Sequence, residues 1–285
     1  MIDAHHHFWD PASADYPWMT GEFEPVRRRF GPEDLQPLLR ACGVGRTVLV
    51  QTRASLDESA EFLRIASRTE FIAGVVAWID LTATDVPDQL RTLRSAPGGG
   101  RLVGIRHQVH DEPDPGWLLR VDVRRGLRAV EAEGLVYDLL VRTRELPAAH
   151  EIARDFPGLR LVVDHLAKPP LRTRELGPWR DAMAPLAACP NVVCKLSGLI
   201  TEADWRTWRP DDLGDCVRSA VAWFGEDRLL FGSDWPVCLL AGTYADVLAA
   251  LRHALADLPP EAHGKVFGAN AARVYRLSGS ADGQE

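Results

Sequence analysis

The sequence predicts a (β/α)8 barrel, and three observations lead to that fold class. Short apolar segments alternate with amphipathic segments along the whole chain, at the spacing of repeated strand–helix units. The apolar segments are continuous runs, which are typical of parallel strands buried on both faces. The chain has 285 residues, an ordinary length for such a barrel. We therefore expect one barrel domain that spans residues 1–285.

The elements follow in order from the first residue. A strand begins at Ile2, and an aromatic loop from Pro11 to Pro32 follows it. Seven more strands are predicted at Thr47–Gln51, Phe71–Leu81, Leu102–Val109, Val136–Arg142, Arg160–Leu166, Val192–Ser197 and Arg228–Ser233. Helices are predicted at Glu33–Cys42, Asp57–Thr69, Asp85–Ser95, Trp117–Glu133, Glu145–Phe156, Leu176–Cys189, Asp211–Phe224 and Tyr244–Leu258. A final extra helix near Ala262–Leu277 is expected to cover the end of the barrel, before a frayed tail at Gly279–Glu285.

A doubly wound open sheet is the alternative fold. It would need fewer strands, and usually a glycine-rich loop directly after the first strand. The glycine cluster of this chain, Gly98 to Gly100, precedes a strand, so it is wrongly placed to cradle a phosphate. The barrel is therefore the better prediction.

Composition narrows the possible partners. The formal net charge of −7 argues against a nucleic-acid-binding surface. Apolar runs stay shorter than the roughly 18 residues that a membrane span needs. The five cysteines are odd in number and form no CxxC pair, which suits reduced thiols in a cytoplasm. We expect a cytoplasmic monomer or homodimer whose partner is a small molecule.

The first strand carries the most informative motif, His5-His6-His7. Strand side chains alternate between faces, so His5 and His7 point one way and His6 points the other. Two imidazoles at one strand end can reach a single atom, either a metal ion or a carbonyl oxygen to be polarised. The alternative is a remnant of an affinity tag, although Ile2-Asp3 before and Phe8-Trp9 after the motif are unlike a tag linker.

Polar side chains also end other predicted strands, where the chemistry of such barrels takes place. His165 follows Val162-Val163-Asp164, and Asp234 follows Phe231-Gly232-Ser233. Taken singly, His165 could be a core histidine, and Asp234 could cap the next turn. Buried charged groups are rare unless they are paired or used, so their joint occurrence at strand ends favours an active site.

Five short segments together resemble the amidohydrolase superfamily. More narrowly, they are similar to its lactonase branch, which includes L-fuconolactonase, L-rhamnonolactonase and 2-pyrone-4,6-dicarboxylate lactonase. The segments are Asp3-Ala4-His5-His6-His7-Phe8-Trp9, Gly104-Ile105-Arg106-His107, Val163-Asp164-His165-Leu166-Ala167-Lys168-Pro169, Lys195-Leu196-Ser197-Gly198 and Phe231-Gly232-Ser233-Asp234-Trp235-Pro236. The resemblance implies a metal-dependent-hydrolase-like barrel in which His5, His7 and His165 hydrogen-bond the lactone carbonyl and Asp234 activates water.

The same resemblance raises the question of a metal. The superfamily pattern adds a carboxylated lysine on strand four and a histidine on strand five, and the corresponding strands here contain neither. A two-metal site would therefore lack its bridge. We expect that no cofactor is required; the alternative is one Zn²⁺ held by His5, His7, His165 and Asp234.

Substrate contacts are harder to predict than the catalytic centre. The candidates are Arg106, Tyr137, Lys168, Trp9, Trp78 and Trp235, with His107 and Lys195 as further members of the pocket. A dicarboxylate needs several cations, ideally arginines, whereas the tryptophans suit the apolar faces of a sugar ring. Two cations are few, so we expect a neutral aldonolactone rather than a dicarboxylate pyrone.

The leading hypothesis is therefore a lactone hydrolase of the carboxylic ester type, which opens an aldonolactone by water attack. A second hypothesis is a metal-dependent decarboxylase or amide hydrolase of the same superfamily. A third is a catalytically dead barrel that serves as a binding scaffold. The presence of His5, His7, His165 and Asp234 together argues against that third hypothesis.

Overall fold

The computed structural model describes residues 1–277, and in this part of the chain eight parallel strands form one sheet in the order β1 to β8. The strands are β1 (Ile2–His6), β2 (Arg46–Val50), β3 (Ile72–Ala77), β4 (Leu102–His107), β5 (Val136–Leu139), β6 (Leu161–Val163), β7 (Val192–Leu196) and β8 (Leu229–Phe231). The predicted (β/α)8 barrel is confirmed. The predicted tail at Gly279–Glu285 lies outside the described residues.

Helices alternate with these strands and surround them. They are α1 (Pro32–Cys42), α2 (Leu56–Arg68), α3 (Val86–Ser95), α4 (Val121–Ala132), α5 (Leu146–Asp155), α6 (Gly177–Ala187), α7 (Leu199–Glu202), α8 (Gly214–Phe224), α9 (Tyr244–Ala254), α10 (Pro260–Gly264) and α11 (Asn270–Val274). None of the helices in residues 1–277 is long and apolar enough to cross a membrane.

Most observed strands are shorter than the apolar runs that predicted them. The run Phe71–Leu81 contains only the six residues of β3, and Arg160–Leu166 contains only the three residues of β6. The remaining apolar side chains, such as Ile79 and Leu166, are buried in the loops above the strands. Apolar content therefore predicted burial correctly, but it could not mark the point where the backbone leaves the sheet.

Small aliphatic side chains fill the barrel interior, including Ala4, Val48, Val162 and Val193. The segment α10–α11, joined by a π-helical turn at Lys265–Ala269, closes the end where the strands begin. The expected extra C-terminal helix thus covers the opposite end from the polar strand ends. Its Tyr275 enters the interior and donates a hydrogen bond to Asp138 on β5 at 2.9 Å.

A buried carboxylate joins the first and last strands. Asp3 accepts hydrogen bonds from the backbone N–H of Ser233 at 2.8 Å, from the Ser233 hydroxyl at 2.6 Å and from the Tyr244 hydroxyl at 3.0 Å. Beside it, the N–H of Asp234 donates to the carbonyl of His5 at 2.8 Å. Barrel closure therefore brings the ends of β1 and β8 into direct contact.

The loop after β1 folds over this junction as an aromatic flap. Trp9 exchanges two backbone hydrogen bonds with Phe30, and its indole N–H donates to the carbonyl of Val26. Trp18 and Phe30 contact Trp9 edge to face, with ring centroids 5.3 and 5.6 Å away. This packing holds the loop as a cover over the junction of β1 and β8.

Candidate active site

Three imidazoles and one carboxylate meet at the ends of β1, β6 and β8. The Nε2 atoms of His5 and His7 are 3.1 Å apart. The Oδ1 atom of Asp234 lies 3.4 Å from Nε2 of His7, 3.7 Å from that of His5 and 3.9 Å from that of His165. All four side chains are buried, with at most 5% of each residue exposed. The structure thus brings together the four residues that the sequence singled out.

Strand alternation places the first two imidazoles as predicted. His5 and His7 point toward the centre, whereas His6 points toward the surrounding helices and pairs with the hydroxyl of Thr47 at 2.8 Å. The backbone N–H of His7 donates to the backbone carbonyl of Trp235 at 2.7 Å, which connects the end of β1 to the loop that carries Asp234. A tag remnant would not be built into the barrel in this way.

The third imidazole stands on an unusual backbone. His165, Leu166, Ala167 and Lys168 have φ angles of 54°, 52°, 55° and 53°, a left-handed turn of four consecutive non-glycine residues. Each such residue costs about 1–2 kcal/mol relative to the right-handed conformation. The turn is held because Leu166 and Ala167 are fully buried and Trp179 donates to the Leu166 carbonyl at 2.8 Å. Strain of this kind, kept by surrounding packing, is characteristic of functional sites.

Gly198 keeps the space beside this turn open. It follows β7 with a φ of +64°, and a Cβ atom there would lie 2.7 Å from Nδ1 of His165 and 3.1 Å from Oδ2 of Asp234. A side chain would therefore fill the gap between the two groups. The adjacent Ser197 hydroxyl pairs with His165 Nδ1 at 2.8 Å and orients the ring.

Hydrogen bonds also determine which nitrogens carry protons. Nδ1 of His7 lies 2.7 Å from the carbonyl of Val50, which can only accept, so Nδ1 is protonated and a neutral His7 has a bare Nε2. Nδ1 of His5 faces Oδ1 of Asp164 at 3.3 Å, so a proton there also leaves the His5 Nε2 bare. Both of these Nε2 atoms then face the Asp234 carboxylate, and that of His5 also lies 3.3 Å from NH1 of Arg106.

Near neutral pH the centre combines the neutral rings of His5 and His165 with an ionised acid. Burial lowers the pKa of His165 to about 4 and lowers the pKa of His5 well below its usual range. Burial alone would raise the pKa of Asp234, but the neighbouring imidazoles, His165 first, outweigh it and hold that pKa below the ordinary carboxyl range. Asp234 is therefore a carboxylate whose neighbours are imidazoles.

This arrangement fits a metal ion. Two bare ring nitrogens and a carboxylate oxygen repel one another unless a cation or a proton lies between them. A tetrahedral Zn²⁺ with bonds of about 2.0–2.2 Å separates its ligands by about 3.3–3.6 Å. The separations among His5, His7 and Asp234 are 3.1, 3.4 and 3.7 Å. The donor set therefore matches the preferences of zinc, and each separation lies within about 0.2 Å of the expected range.

A second cluster of charges lies deeper in the barrel, and we call it the inner cluster: Arg106, Asp138, Asp164 and Lys195. Lys195 forms ion pairs with both Asp138 and Asp164, the latter at 2.9 Å. Arg106 donates to Oδ2 of Asp164 at 2.9 Å. Burial raises the pKa of Asp138 to about 6. Burial also acts to raise the pKa of Asp164, but Lys195, His5 and Arg106 together hold it well below the ordinary range.

Sequence reasoning assigned no role to the supporting residues Asp3, Asp138, Asp164 and Ser197. A signal for some of them existed, because Asp138 and Lys195 each interrupt a buried apolar strand. Their partners lie on other strands, however, so the sequence alone could not assign the ion pairs.

The predicted substrate residues occupy different environments. Arg106 is at the centre but is bound to Asp164, and Lys168 pairs with Glu202 at 2.8 Å. Trp9 and Trp235 are buried in the aromatic flap region, with 3% and 1% exposed. Both indoles pack among the aromatic rings of the flap.

Tyr137 is not brought to the site. It precedes Asp138 on β5, and since Asp138 points into the barrel, Tyr137 points outward into the apolar layer beneath the helices, where it is fully buried. The alternation that correctly placed His5 and His7 thus excludes Tyr137.

The rim of the site after β3 and β4 is polar and aromatic. Trp78 is partly exposed and donates its indole N–H to Nδ1 of His107 at 3.0 Å. His107 then donates from Nε2 to Glu112 at 2.7 Å and stacks on Trp117 with ring centroids 4.2 Å apart. His110, which was not predicted, has a buried Nδ1 that makes no hydrogen bond within the described residues.

The fold and the centre define a class of barrel proteins with an imidazole–carboxylate site at the carboxyl ends of the strands. The sequence model of the amidohydrolase family matches residues 2–277, and the chain belongs to this family. The expected superfamily membership is confirmed.

Individual relatives are similar over nearly the whole chain. The L-fucono-1,5-lactonase of Burkholderia ambifaria is 44% identical, covering 97% of this chain and 95% of the relative. That of Burkholderia multivorans is 41% identical, covering 99% and 97%. The crystal structure of an amidohydrolase from Burkholderia multivorans with bound Zn has a TM-score of 0.92 and 41% identity, covering 97% of this chain and 99% of the other.

The expectation that no cofactor is required is wrong. The similar amidohydrolase from Burkholderia multivorans has bound Zn, and this chain presents suitable ligands at His5, His7 and Asp234. The absence of a lysine on strand four and a histidine on strand five speaks only against a bridged pair of ions. A single ion needs neither residue, because β1 and β8 alone supply three ligands.

Proposed function

We propose that this protein hydrolyses a neutral aldonolactone of the L-fucono-1,5-lactone type to the aldonic acid. The observation that carries the proposal is the buried Asp234 carboxylate within 3.4–3.9 Å of three imidazole nitrogens. Two relatives at 44% and 41% identity are L-fucono-1,5-lactonases, which supplies the substrate class. The reaction is therefore hydrolysis of a cyclic carboxylic ester.

His5, His7 and Asp234 would hold the zinc ion, with His165 beside them. A bound Zn²⁺ supplies a Lewis acid that polarises an oxygen and lowers the pKa of water. Asp164 stands behind His5 as the carboxylate partner of its Nδ1, an arrangement that fixes the ring orientation of a metal-binding histidine.

Asp234 acts as the general base. Its Oδ2 faces Gly198, which has no side chain to come between the carboxylate and His165. As the water oxygen bonds to the lactone carbonyl carbon, its proton passes to Asp234. The ring C–O bond then breaks, and the same proton returns to the ring oxygen, which becomes the hydroxyl of the open acid.

His165 donates a hydrogen bond to the carbonyl oxygen as negative charge develops there. The Ser197 hydroxyl can donate to Nδ1 of His165, which leaves the proton on Nε2, the nitrogen that faces the centre. Because burial keeps the pKa of His165 at about 4, the ring is a neutral donor at neutral pH. Loss of one such donor typically costs on the order of 100–1000-fold in rate.

Charge pairing selects against a dicarboxylate substrate. Arg106 is compensated by Asp164 and Lys168 by Glu202, so the two predicted cations already have carboxylate partners. A neutral sugar ring instead meets hydrogen-bonding and aromatic groups such as Trp78 and His110 at the rim. We therefore keep the preference for an aldonolactone over a pyrone dicarboxylate.

The test compares two substrates on the zinc-loaded enzyme. Hydrolysis of L-fucono-1,5-lactone and of 2-pyrone-4,6-dicarboxylate is followed by acid release, and kcat/KM is determined for both. We expect at least a tenfold preference for the aldonolactone, about 1.4 kcal/mol of transition-state binding. A tenfold preference for the dicarboxylate would overturn the substrate class, and hydrolysis of neither would overturn the proposed function.

A cytoplasmic location is also part of this proposal. All five cysteines are free thiols, and four of them are buried, as expected in a reducing compartment. A monomer or homodimer stays a prediction, which sedimentation of the purified protein would decide.

A further inference from the structure

Two different triads of side chains in this centre have metal-ligating geometry, and they share His5. One is His5, His7 and Asp234; the other is His5, Asp164 and His165. In each triad the ligand atoms lie within 4.8 Å of one another and all three residues are buried. Geometry alone therefore offers an ion two positions.

The two carboxylates differ in their cationic partners. Asp164 has a cation at each oxygen, with Lys195 Nζ at 2.9 Å from Oδ1 and Arg106 at 2.9 Å from Oδ2. Among the described residues, Asp234 forms its ion pairs with imidazoles alone. The charge of Asp164 is thus compensated by the protein, whereas that of Asp234 is compensated only if a cation binds.

Lys195 also occupies the space that an ion at Asp164 would need. Its Nζ lies 3.2 Å from Nδ1 of His5, and Arg106 NH1 lies 3.3 Å from Nε2 of the same ring. Nδ1 is the His5 nitrogen that faces Asp164, so an ion between these two atoms would contact the Lys195 ammonium. Such a contact between two cations at low dielectric is strongly repulsive.

The rest of the inner cluster holds the ammonium in place. Lys195 is fully buried on β7, and its second partner is Asp138, which also accepts from the Tyr275 hydroxyl. The inner cluster has two carboxylates and two cationic side chains, so its formal charge is zero when no metal ion is bound there. Displacing Lys195 would leave buried charges without partners, at a cost of several kcal/mol.

We propose that Lys195, with Arg106, is a built-in cation that closes the triad of His5, Asp164 and His165 to metal. It thereby restricts the site to a single ion at His5, His7 and Asp234. Lys195 acts here as a positioning residue, because it leaves only the triad of His5, His7 and Asp234 available to the ion. The proposal concerns metal binding and does not depend on which lactone is hydrolysed.

The first measurement is zinc content after loading and desalting. Wild type should contain one zinc per chain. His7→Asn removes a ligand from the open triad only, so its content should fall below about one fifth of an equivalent. A stoichiometric zinc in His7→Asn, or two in wild type, would overturn the proposal.

The second measurement reopens the closed triad. The double variant Lys195→Met/Asp138→Asn removes one charge of each sign and frees Oδ1 of Asp164. We expect about two zinc ions per chain in this variant, and about one when His7→Asn is added to it. Asp138→Asn alone keeps the ammonium and is the matched control, with one zinc expected.

A double variant with native circular dichroism and only one zinc would contradict the proposal. If the double variant does not fold, the wild type and His7→Asn measurements still decide the question. Both zinc measurements use proteins whose inner cluster is intact. Each has an outcome that would overturn the proposal that Lys195 closes the second triad to metal.

Discussion

Asp164 and Asp234 lie on either side of His5, and both are buried. They differ in the charged groups that surround them. Asp164 belongs to the inner cluster, where Lys195 and Arg106 compensate its charge. Asp234 belongs to what we call the outer cluster, His7, His165 and Asp234, in which it faces imidazoles. A carboxylate that is paired with fixed cations supports the structure, whereas one that faces imidazoles is available to bind a cation and accept a proton.

The largest effect is expected from breaking the inner cluster. Asp138→Ala leaves the buried Lys195 with one fewer partner, and removal of one member of a buried ion pair typically costs about 3–5 kcal/mol of unfolding free energy. Urea unfolding followed by tryptophan fluorescence measures this loss. A loss below about 1 kcal/mol would show that water or a rearranged Lys195 replaces the ion pair.

Breaking the outer cluster should affect activity and not stability. Asp234→Asn keeps the shape of the side chain but removes both the base and an anionic zinc ligand, so hydrolysis should fall at least ~100-fold. The melting temperature of this variant serves as the control and should stay close to that of wild type. Near-normal turnover in the folded variant would remove Asp234 from the mechanism.

Metal removal tests the same outer cluster without a mutation. Dialysis against a strong chelator should lower the rate by about 10–100-fold, and one equivalent of Zn²⁺ should restore it. Zinc content is measured on the same samples. A metal-free enzyme with the full rate would contradict a role for the ion.

The rim should make the protein sensitive to acid through His110. Burial, with Lys168, Arg142, Arg106 and His165 nearby, lowers the pKa of His110 to about 2, while Asp111 is the acidic neighbour. The unfolded chain protonates this histidine below about pH 6.5, whereas the folded protein does not. Below that pH the contribution of His110 to the free energy of unfolding therefore falls, by up to about 1.4 kcal/mol per pH unit.

The variant His110→Gln isolates this contribution. Between about pH 7 and pH 5.5, the unfolding free energy of wild type should fall by about 1 kcal/mol more than that of the variant. Urea titrations at the two pH values give the difference. Equal slopes would show that His110 is protonated in the folded state as readily as in the unfolded chain.

The smallest effect is expected at the bottom of the inner cluster. Tyr275→Phe removes one hydroxyl that donates to Asp138 and keeps the ring that plugs the barrel, so about 1 kcal/mol of stability should be lost. The rate of hydrolysis should stay within about threefold of wild type, because Lys195 still holds Asp138. A drop comparable to that of Asp234→Asn would mean that the two clusters are not separable.

The sequence by itself determined the barrel and most of the centre. Continuous apolar runs predicted buried parallel strands, and strand alternation placed His5 and His7 on one side. Both are local properties, since burial and side-chain direction depend on neighbours in the chain. The same alternation argues against Tyr137 once Asp138 is known to point inward.

Only the tertiary structure decided which charge faces which. Asp164 and Asp234 each follow a short apolar strand, and their local sequences do not reveal which of them is paired with fixed cations. Lys195 reaches Asp164 from β7 and Arg106 reaches it from β4, while β1 brings imidazoles to Asp234. These partners are far apart in the chain, and electrostatic compensation depends on distances of a few ångström that closure of the barrel sets.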